Sequence, residues 1–309
     1  MKSIYAFLFS LLLMFSGCEN NKGYEVAPAR LIGLSLAQPA NEYVNTVATE
    51  LSRKFKEQGY SLIITNADSK IENQQKQVAA LLKQNVKALL LSAPEGDFSE
   101  SMAAINEAGI PFVNVVRPLA DATVVDAVVL PDAVDEGRLA ARFMNEALET
   151  GKYQMLYMTG SATESELTQW QDGLSKELNA GITKFSNPLA CVDSLSALSR
   201  AKNILSRDVQ VCVALDDVAL QGFVVALAES GKTLNDVKII VFSGSPKSKS
   251  LLKEGKISAI IARSPQTAAQ QMMDACLSLL QGQMVEKTWV KSTLITVDNI
   301  AEYDVNKWE

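Results

Sequence analysis

Histidine is absent from this chain of 309 residues, which removes the most common catalytic and metal-binding side chain. Without histidine there is no Ser-His or Cys-His nucleophile pair, no usual general base and no typical zinc ligand set. Paired carboxylates could still support catalysis, but no metal spacing, glycine-rich phosphate loop or nucleophile motif accompanies them. The candidate carboxylates are Glu164, Glu166, Asp216 and Asp217. We therefore predict a protein that is not an enzyme and that holds neither a metal nor a cofactor.

Positive charge is also scarce, because 29 Lys and Arg stand against 35 Asp and Glu and leave a net charge of -6. A surface that coats nucleic acid needs clustered basic residues to neutralise the phosphates. The charge balance therefore argues against nucleic acid as a partner.

Cysteine is rare, with four residues in the whole chain. Cys191, Cys212 and Cys276 follow Cys18, and an odd number of cysteines in an exported domain leaves at least one thiol unpaired. Cys212 falls in an apolar strand pattern and Cys276 in a helical one, which is typical of small core residues. We predict no disulfide.

The first residues have the pattern of an export signal. Lys2 precedes an almost uninterrupted apolar run from Ile4 to Phe15, which is shorter than the roughly 20 residues of a membrane-spanning helix. The run ends at Phe15-Ser16-Gly17-Cys18, which resembles the lipobox of bacterial lipoproteins. We expect residues 1–17 to be a signal peptide, Cys18 to carry the lipid that anchors the protein to a membrane, and residues 18–29 to be a linker. A plain signal peptide with an incidental cysteine is the alternative.

The rest of the chain alternates short apolar segments with amphipathic ones. Residues 30–37 predict a strand and residues 42–58 a helix, with Gly59 as its C-terminal stop. The alternation runs to Val116 and begins again at Met155. It indicates an α/β protein with two similar doubly wound parallel-sheet lobes joined by a hinge. Since ligands of such sheets lie beyond the carboxyl ends of the strands, we expect a cleft between the lobes.

Short segments of this sequence resemble, in their order, the periplasmic ribose-binding proteins. They are Ile32-Gly33-Leu34 through Gly59-Tyr60, Gly109-Ile110-Pro111 with Arg117, Asp132 with Gly137 and Ala140, Gly160 with Gly173, Asp216-Asp217 with Ala219-Leu220, and Phe242-Ser243-Gly244-Ser245-Pro246. The resemblance covers the chain from Arg30 to its last residue and depends on the order of the segments, because a single one would carry no information.

The resemblance implies a type I periplasmic binding fold, whose chain crosses between the lobes near Leu130, Ser264 and Leu294. The N-lobe would then comprise residues 30–130 plus 264–293, and the C-lobe residues 131–263 plus 294–309. Regulators of the lactose-repressor type share this fold but begin with a DNA-binding helix-turn-helix, whereas a signal peptide occupies that place here. We therefore expect an exported, monomeric protein that faces the periplasm or the cell exterior.

The binding residues of that family transfer to this sequence one position at a time. Its asparagine after the first strand falls on Asn41 and one stacking aromatic on Tyr43. Its second aromatic becomes Val44, and a serine becomes Ala37. Of its Asp-Arg pair, Val116-Arg117 retains only the arginine. Its C-lobe arginine falls on Thr168 and a further aromatic on Cys191. Its asparagine before Asp216 becomes Leu215, its aspartate before Gly244 becomes Ser243, and its glutamine near the second crossing becomes Arg263.

Most polar groups of the ribose-type site are thus replaced, and the lost carboxylates were its hydrogen-bond acceptors. A sugar needs donors and acceptors for its hydroxyls and an aromatic face for its C–H surface. Arg117 and Arg263 would favour a ligand with a carboxylate or a phosphate. We therefore predict a small polar, carbohydrate-like ligand, with an acidic ligand as the second option.

Several of these residues have structural alternatives. Tyr43 could be the first core residue of its helix, and Asn41 could cap that helix, a role compatible with ligand contact. Arg117 could cap a strand end or pair with Asp121, and Arg263 could bridge the lobes beside the hinge. Cys191 could pack in the core instead of lining the pocket. We predict that Trp170 is a core residue and that Asp216 and Asp217 cap the helix that follows them.

The predicted function is the capture of a solute for an ABC importer, in which the closed binding protein docks on the membrane permease. The alternative is a sensory role, in which the closed form signals to a membrane receptor or sensor kinase. Both functions use ligand-driven closure of the same cleft. The ligand-binding sequence does not separate them.

Overall fold

A computed structural model describes residues 30–37, 41–92, 96–119, 125–149, 151, 153–160, 162–179, 182–185, 191 and 193–309. The predicted signal peptide, Cys18 and the linker therefore lie outside the described residues, as does Asp121. Within the described part of the chain, no helix is both long enough and apolar enough to cross a membrane.

The first part of the chain forms alternating strands and helices, as the apolar periodicity predicts. Their bounds are β1 Leu31–Leu36, α1 Glu42–Glu57, β2 Ser61–Asn66, α2 Ile71–Lys83, β3 Leu89–Leu91, α3 Ser99–Ala108, β4 Phe112–Val115 and β5 Ala127–Pro131. Helix α1 begins at Asn41, whose side chain accepts a hydrogen bond from the Val44 amide at 2.9 Å. It ends where Gly59 adopts a φ of 76°, a left-handed conformation that glycine takes without strain.

The second part repeats the pattern. Its elements are α4 Ala133–Ala147, β6 Tyr153–Met158, α5 Glu164–Glu177, β7 Ile182–Phe185, α6 Ser194–Leu205, β8 Val211–Ala214, α7 Asp217–Ser230, β9 Lys238–Ser243, α8 Pro246–Lys253, β10 Ala259–Arg263, α9 Pro265–Leu280, β11 Thr288–Val290 and β12 Ser292–Ile295. A single 3-10 turn at Ile300–Glu302 follows. Asp216 caps α7, because its Oδ1 accepts a hydrogen bond from the Ala219 amide at 2.9 Å.

The strands form two six-stranded sheets, in the orders β11-β5-β4-β3-β1-β2 and β12-β10-β9-β8-β6-β7. All pairs are parallel except β10 with β12, which is antiparallel. Each sheet lies between two layers of helices, α1 with α9 and α2 with α3 on the first, α4 with α5 and α6 with α7 on the second. The predicted α/β class with two doubly wound lobes is confirmed.

The chain passes between the two sheets after β5, after β10 and between β11 and β12. Ser292 and Thr293, which the family resemblance places in the N-lobe, pair with Arg263 and Ala262 in the second sheet. In the structure the third passage lies at Lys291, three residues before Leu294. The short edge strands β11 and β12 carry little apolar periodicity, so their boundary is not visible in the sequence. The predicted lobe bounds otherwise stay a prediction.

Candidate functional site

A cleft between the two lobes lies at the carboxyl ends of both sheets, and it contains two connected chambers. The inner chamber has a volume of about 80 Å³. Its polar and aromatic wall from the first lobe consists of Asn41, Tyr43, Ser92 and Arg117, and that from the second lobe of Glu136, Glu166, Trp170, Phe242 and Arg263. The outer chamber has a volume of about 170 Å³ and is lined by Ser243 and Trp308. Both chambers share Asn41, Tyr43, Leu215, Phe242 and Arg263.

Tyr43 lies at the start of α1, where it packs beside the core of the first lobe and also lines both chambers. Its two predicted roles, core residue and cleft residue, therefore coexist. Burial raises the pKa of its hydroxyl to about 12, although the charge of Arg263 opposes this shift. The hydroxyl consequently stays protonated at neutral pH and can both donate and accept a hydrogen bond.

Arg117 follows β4 at a sharp turn and has an exposed fraction of only 8%. Its amide donates a hydrogen bond to the Val115 carbonyl at 2.6 Å, which closes a γ-turn around Val116. Val116 has a φ of 63°, a conformation that costs a β-branched residue about 1–3 kcal/mol. This strained turn places the Val116 and Arg117 side chains together on the wall of the inner chamber.

The buried side chain of Asn114 stabilises this turn through hydrogen bonds. Its Nδ2 donates to the carbonyls of Leu91 at 3.0 Å and Arg117 at 2.7 Å, and its Oδ1 accepts from the Leu119 amide at 3.0 Å. The sequence reasoning missed this residue. The available signal was a lone amide inside the apolar segment Phe112–Val115, since a buried amide must find hydrogen-bond partners.

Arg263 forms a bidentate ion pair with Glu136, with its Nε and Nη2 each 2.5 Å from a carboxylate oxygen. The Ser292 hydroxyl donates to the same carboxylate at 2.7 Å. Glu136 is only 1% exposed, and sequence reasoning missed it although it is a charged residue on the apolar face of α4. Burial by itself would lower the pKa of Arg263, but the charge and the hydrogen bonds of the Glu136 carboxylate outweigh this effect and raise the pKa. Arg263 therefore remains a cation in the wall of the cleft.

Glu166 is the second acidic residue of the inner chamber. It completes a capping box at the start of α5, in which its Oε2 accepts from the amide and the hydroxyl of Thr163, both at 2.8 Å. Two arginines are thus matched by two glutamates, Glu136 and Glu166. The sequence predicted a donor-rich pocket, whereas the described lining is balanced in charge.

The structure brings most of the predicted site residues together, but not all of them. Asn41, Tyr43, Val116, Arg117, Leu215 and Arg263 line the inner chamber, and Ser243 lines the outer one. Thr168 is exposed on α5 and donates its hydroxyl to the Glu164 carbonyl at 2.9 Å, outside both linings. Cys191 is buried in the core of the second lobe, also outside both linings.

Trp170 has both a core and a cleft role. It is 2% exposed and packs between Tyr157 and Phe242, with ring centroids 5.6 Å and 5.7 Å away. One edge of this aromatic cluster reaches the wall of the inner chamber. Sequence periodicity identified only the core role, because it predicts which face of a helix is buried but not whether that face also borders a cavity.

Cys191, Cys212 and Cys276 are buried free thiols. Burial raises the pKa of Cys276 to about 12 and also raises that of Cys212. At neutral pH the thiols of Cys212 and Cys276 are therefore protonated, and the protonated thiol is the less reactive form.

The sequence is similar to one group of known proteins. The family model described as periplasmic binding protein domain matches residues 32–284. The chain is 26% identical to the ribose import binding protein of Bacillus subtilis over 260 residues, which covers 83% of this chain and 84% of that protein. The ribose import binding protein of Escherichia coli is 24% identical over 232 residues, covering 74% of this chain and 77% of that protein.

Solved structures share the fold. The Caulobacter myo-inositol binding protein, solved with myo-inositol, matches with a TM-score of 0.80 at 20% identity and covers 89% of this chain and 96% of its own. An ABC transporter solute binding protein from Actinobacillus succinogenes, solved with D-allose, has a TM-score of 0.78 at 20% identity and covers 88% and 99% of the two chains. All four relatives are named as binding proteins.

Proposed function

This chain belongs to the family of periplasmic binding protein domains, and from this membership we propose that it binds a small neutral carbohydrate in the cleft and delivers it to an ABC importer. Membership confirms the predicted type I periplasmic binding fold, the export of the protein and its role as a solute-binding protein rather than an enzyme. The nature of the ligand is argued from the cleft itself.

The charge balance of the inner chamber carries the proposal of a neutral ligand. Arg117 and Arg263 face two glutamates, and the bidentate contact with Glu136 already neutralises Arg263. An anionic ligand would have to compete with Glu136 for that guanidinium. A sugar hydroxyl can instead donate to a glutamate and accept from an arginine, and it leaves both charges in place.

The aromatic wall supports the same ligand class. Tyr43 on the first lobe and Trp170 with Phe242 on the second line the inner chamber from both sides. Aromatic faces favour the C–H surface of a sugar ring. Relatives named for ribose import, or solved with myo-inositol or D-allose, agree with a polyhydroxylated ligand for this chain.

Calorimetric titration of the chain without residues 1–29 tests the ligand class. The panel contains D-ribose, D-allose, L-arabinose and myo-inositol as neutral ligands, and D-glucuronate, D-galacturonate and ribose 5-phosphate as anions. We expect at least one neutral sugar to bind and the anions to bind more weakly. Tight binding by the anions alone would restore the acidic option, and no binding at all would contradict the proposal.

Substitution of Arg117 by lysine is expected to weaken sugar binding about tenfold, or about 1.4 kcal/mol. Lysine keeps the charge but loses the planar fork that can hold two oxygens at once. Calorimetry on the sugar that binds best measures the change. Arg53→Lys is the matched control and should leave affinity within twofold. Arg53 is half exposed on α1 and, among the described residues, forms its ion pairs within its own helix. Equal affinities of Arg117→Lys and wild type would remove Arg117 from the site.

We further propose that the protein is a lipoprotein held to a membrane through Cys18, with residues 18–29 as the linker. The support is the apolar run followed by Phe15-Ser16-Gly17-Cys18. Growth of producing cells with labelled palmitate should label the wild-type protein and leave Cys18→Ser unlabelled. Equal labelling of the two, or none in either, would contradict the anchor.

A further inference from the structure

The outer chamber, with a volume of about 170 Å³, adjoins the inner one of about 80 Å³. It continues from the inner chamber past Tyr43, Leu215 and Arg263, which line both. A ligand bound in the inner chamber therefore has room to extend in this direction. The polar and aromatic residues that line only the outer chamber are Glu42, Asp216, Asp217, Gln221, Ser243 and Trp308.

Trp308 is held in place by a segment that is docked on the second lobe. Lys249 is fully buried, and its Nζ donates to the Asp304 carbonyl at 2.6 Å and lies 3.4 Å from the Glu309 carboxylate. The Glu309 amide donates to the Gly244 carbonyl at 3.0 Å. A side chain at Gly244 would place its Cβ 2.0 Å from the Glu309 carbonyl, so only glycine allows this docking. These contacts fix the segment 304–309, and with it the Trp308 backbone, against the second lobe.

The Trp308 ring faces the first lobe across the cleft. Its centroid lies 6.0 Å from that of Tyr43, with 59° between the ring planes. The two aromatic residues come from opposite lobes, so they form a wall that exists only when the lobes are close together. Such a pair offers both ring surface and ring edges to a planar or cyclic ligand group.

Carboxylates supply hydrogen-bond acceptors in the outer chamber. The Asp217 carboxylate receives the Ser243 and Ser245 hydroxyls at 2.8 and 2.9 Å, and burial keeps its pKa above the ordinary value despite these bonds. Each carboxylate oxygen has a further lone pair. Glu42 and Asp216 add two more carboxylates to the lining, against the single cation Arg263, which is already paired with Glu136. The described lining of the chamber therefore carries net negative charge and favours uncharged groups that donate hydrogen bonds.

We propose that the outer chamber is a second ligand subsite, which takes a ring linked to the sugar in the inner chamber, with Trp308 as its aromatic platform. The ligand class is then a neutral glycoside: a disaccharide, or a sugar joined to another uncharged ring such as a nucleobase. This inference rests on the proposed function, because it extends the same ligand beyond its first ring.

Calorimetry on matched pairs of ligands tests the subsite. The pairs are D-ribose with uridine and adenosine, D-glucose with cellobiose and maltose, D-galactose with melibiose, D-xylose with xylobiose, and myo-inositol with galactinol. We expect at least one two-ring ligand to bind about tenfold or more tightly than its parent, because one stacked ring contributes an effect of that order. If single sugars bind but no two-ring ligand binds better than its parent, the subsite is wrong and the proposed function stands. If no ligand of either kind binds, both proposals are contradicted.

Trp308→Ala separates ligand contact from an effect on lobe closure. For a platform, the variant should lose about tenfold in affinity for the two-ring ligand while the parent sugar changes by about twofold or less. Trp308→Phe keeps a ring and should recover most of the lost affinity. Equal weakening of parent and two-ring ligand would show that Trp308 acts only through Tyr43 on closure, and it would overturn the subsite.

Lys307→Ala is the matched control within the same segment. The Lys307 side chain is 73% exposed and forms an ion pair with Asp304 of its own segment. Its loss should leave all affinities within twofold. Thermal unfolding of every variant establishes that the fold is retained, so that a loss of binding is not a loss of structure.

Discussion

Replacement of Glu136 by alanine is expected to lower the free energy of unfolding by about 3 kcal/mol, because it leaves Arg263 without its carboxylate. The Glu136 side chain is 1% exposed and that of Arg263 23% exposed, so water replaces the lost partner only in part. The Ser292 hydroxyl loses its acceptor at the same time. The cost exceeds that of a surface ion pair, which is about 0–1 kcal/mol.

The same substitution should also weaken ligand binding. The carboxylate holds Arg263, at the end of β10, and Ser292, at the start of β12, where the chain passes between the lobes. Without it the guanidinium can leave the wall that both chambers share. We expect an affinity loss of about tenfold in the sugar titration, or about 1.4 kcal/mol.

Urea denaturation at neutral pH measures the change in unfolding free energy. Glu136→Gln keeps one acceptor oxygen for these donors and should cost less than alanine. The double variant Glu136→Ala/Arg263→Met should be more stable than the single one, because it removes the unpaired charge. Glu146→Ala, at an exposed position of α4, is the control and should change stability by about 0.5 kcal/mol or less. A loss below about 1 kcal/mol for Glu136→Ala would contradict the buried-pair argument.

Gly173→Ala is expected to destabilise the second lobe by about 3 kcal/mol, at the upper end of the usual cost of overpacking. Helices α4 and α5 touch through their backbones at two reciprocal glycines. A Cβ on Gly173 would lie 1.9 Å from the Val134 carbonyl oxygen, and one on Gly137 would lie 2.1 Å from the Trp170 carbonyl oxygen. Neither backbone can yield as a flexible side chain would, so the helices must separate.

Separation of the two helices should also weaken ligand binding. Helix α4 carries Glu136, and α5 carries Glu166 and Trp170, so the two helices together supply much of the second-lobe wall. Denaturant unfolding and sugar titration should therefore both change. Ser175→Ala, at an exposed position of α5, is the control for helix propensity and should leave both unchanged. Stability of Gly173→Ala within about 0.5 kcal/mol of wild type would mean that the helices are not as close as the structure shows.

Local patterns were sufficient for the regular elements. The periodicity of residues 42–58 and the glycine after them predicted α1 almost to the residue. Elements with weak patterns were less visible. Residues 86–92 form a largely apolar segment, of which only Leu89–Leu91 pairs as a strand, because hydrophobicity reports burial and does not distinguish a paired strand from its buried flanks.

The sequence by itself determined the alternating fold, the two lobes and the position of the cleft, because strand and helix periods are local and chain order constrains the topology. Only the tertiary structure decided which side chains meet there. Glu136 and Arg263 are 127 residues apart, and Trp308 meets Tyr43 from the opposite end of the chain. Contacts of this kind depend on how two lobes and a docked segment come together in space, and no local period encodes them.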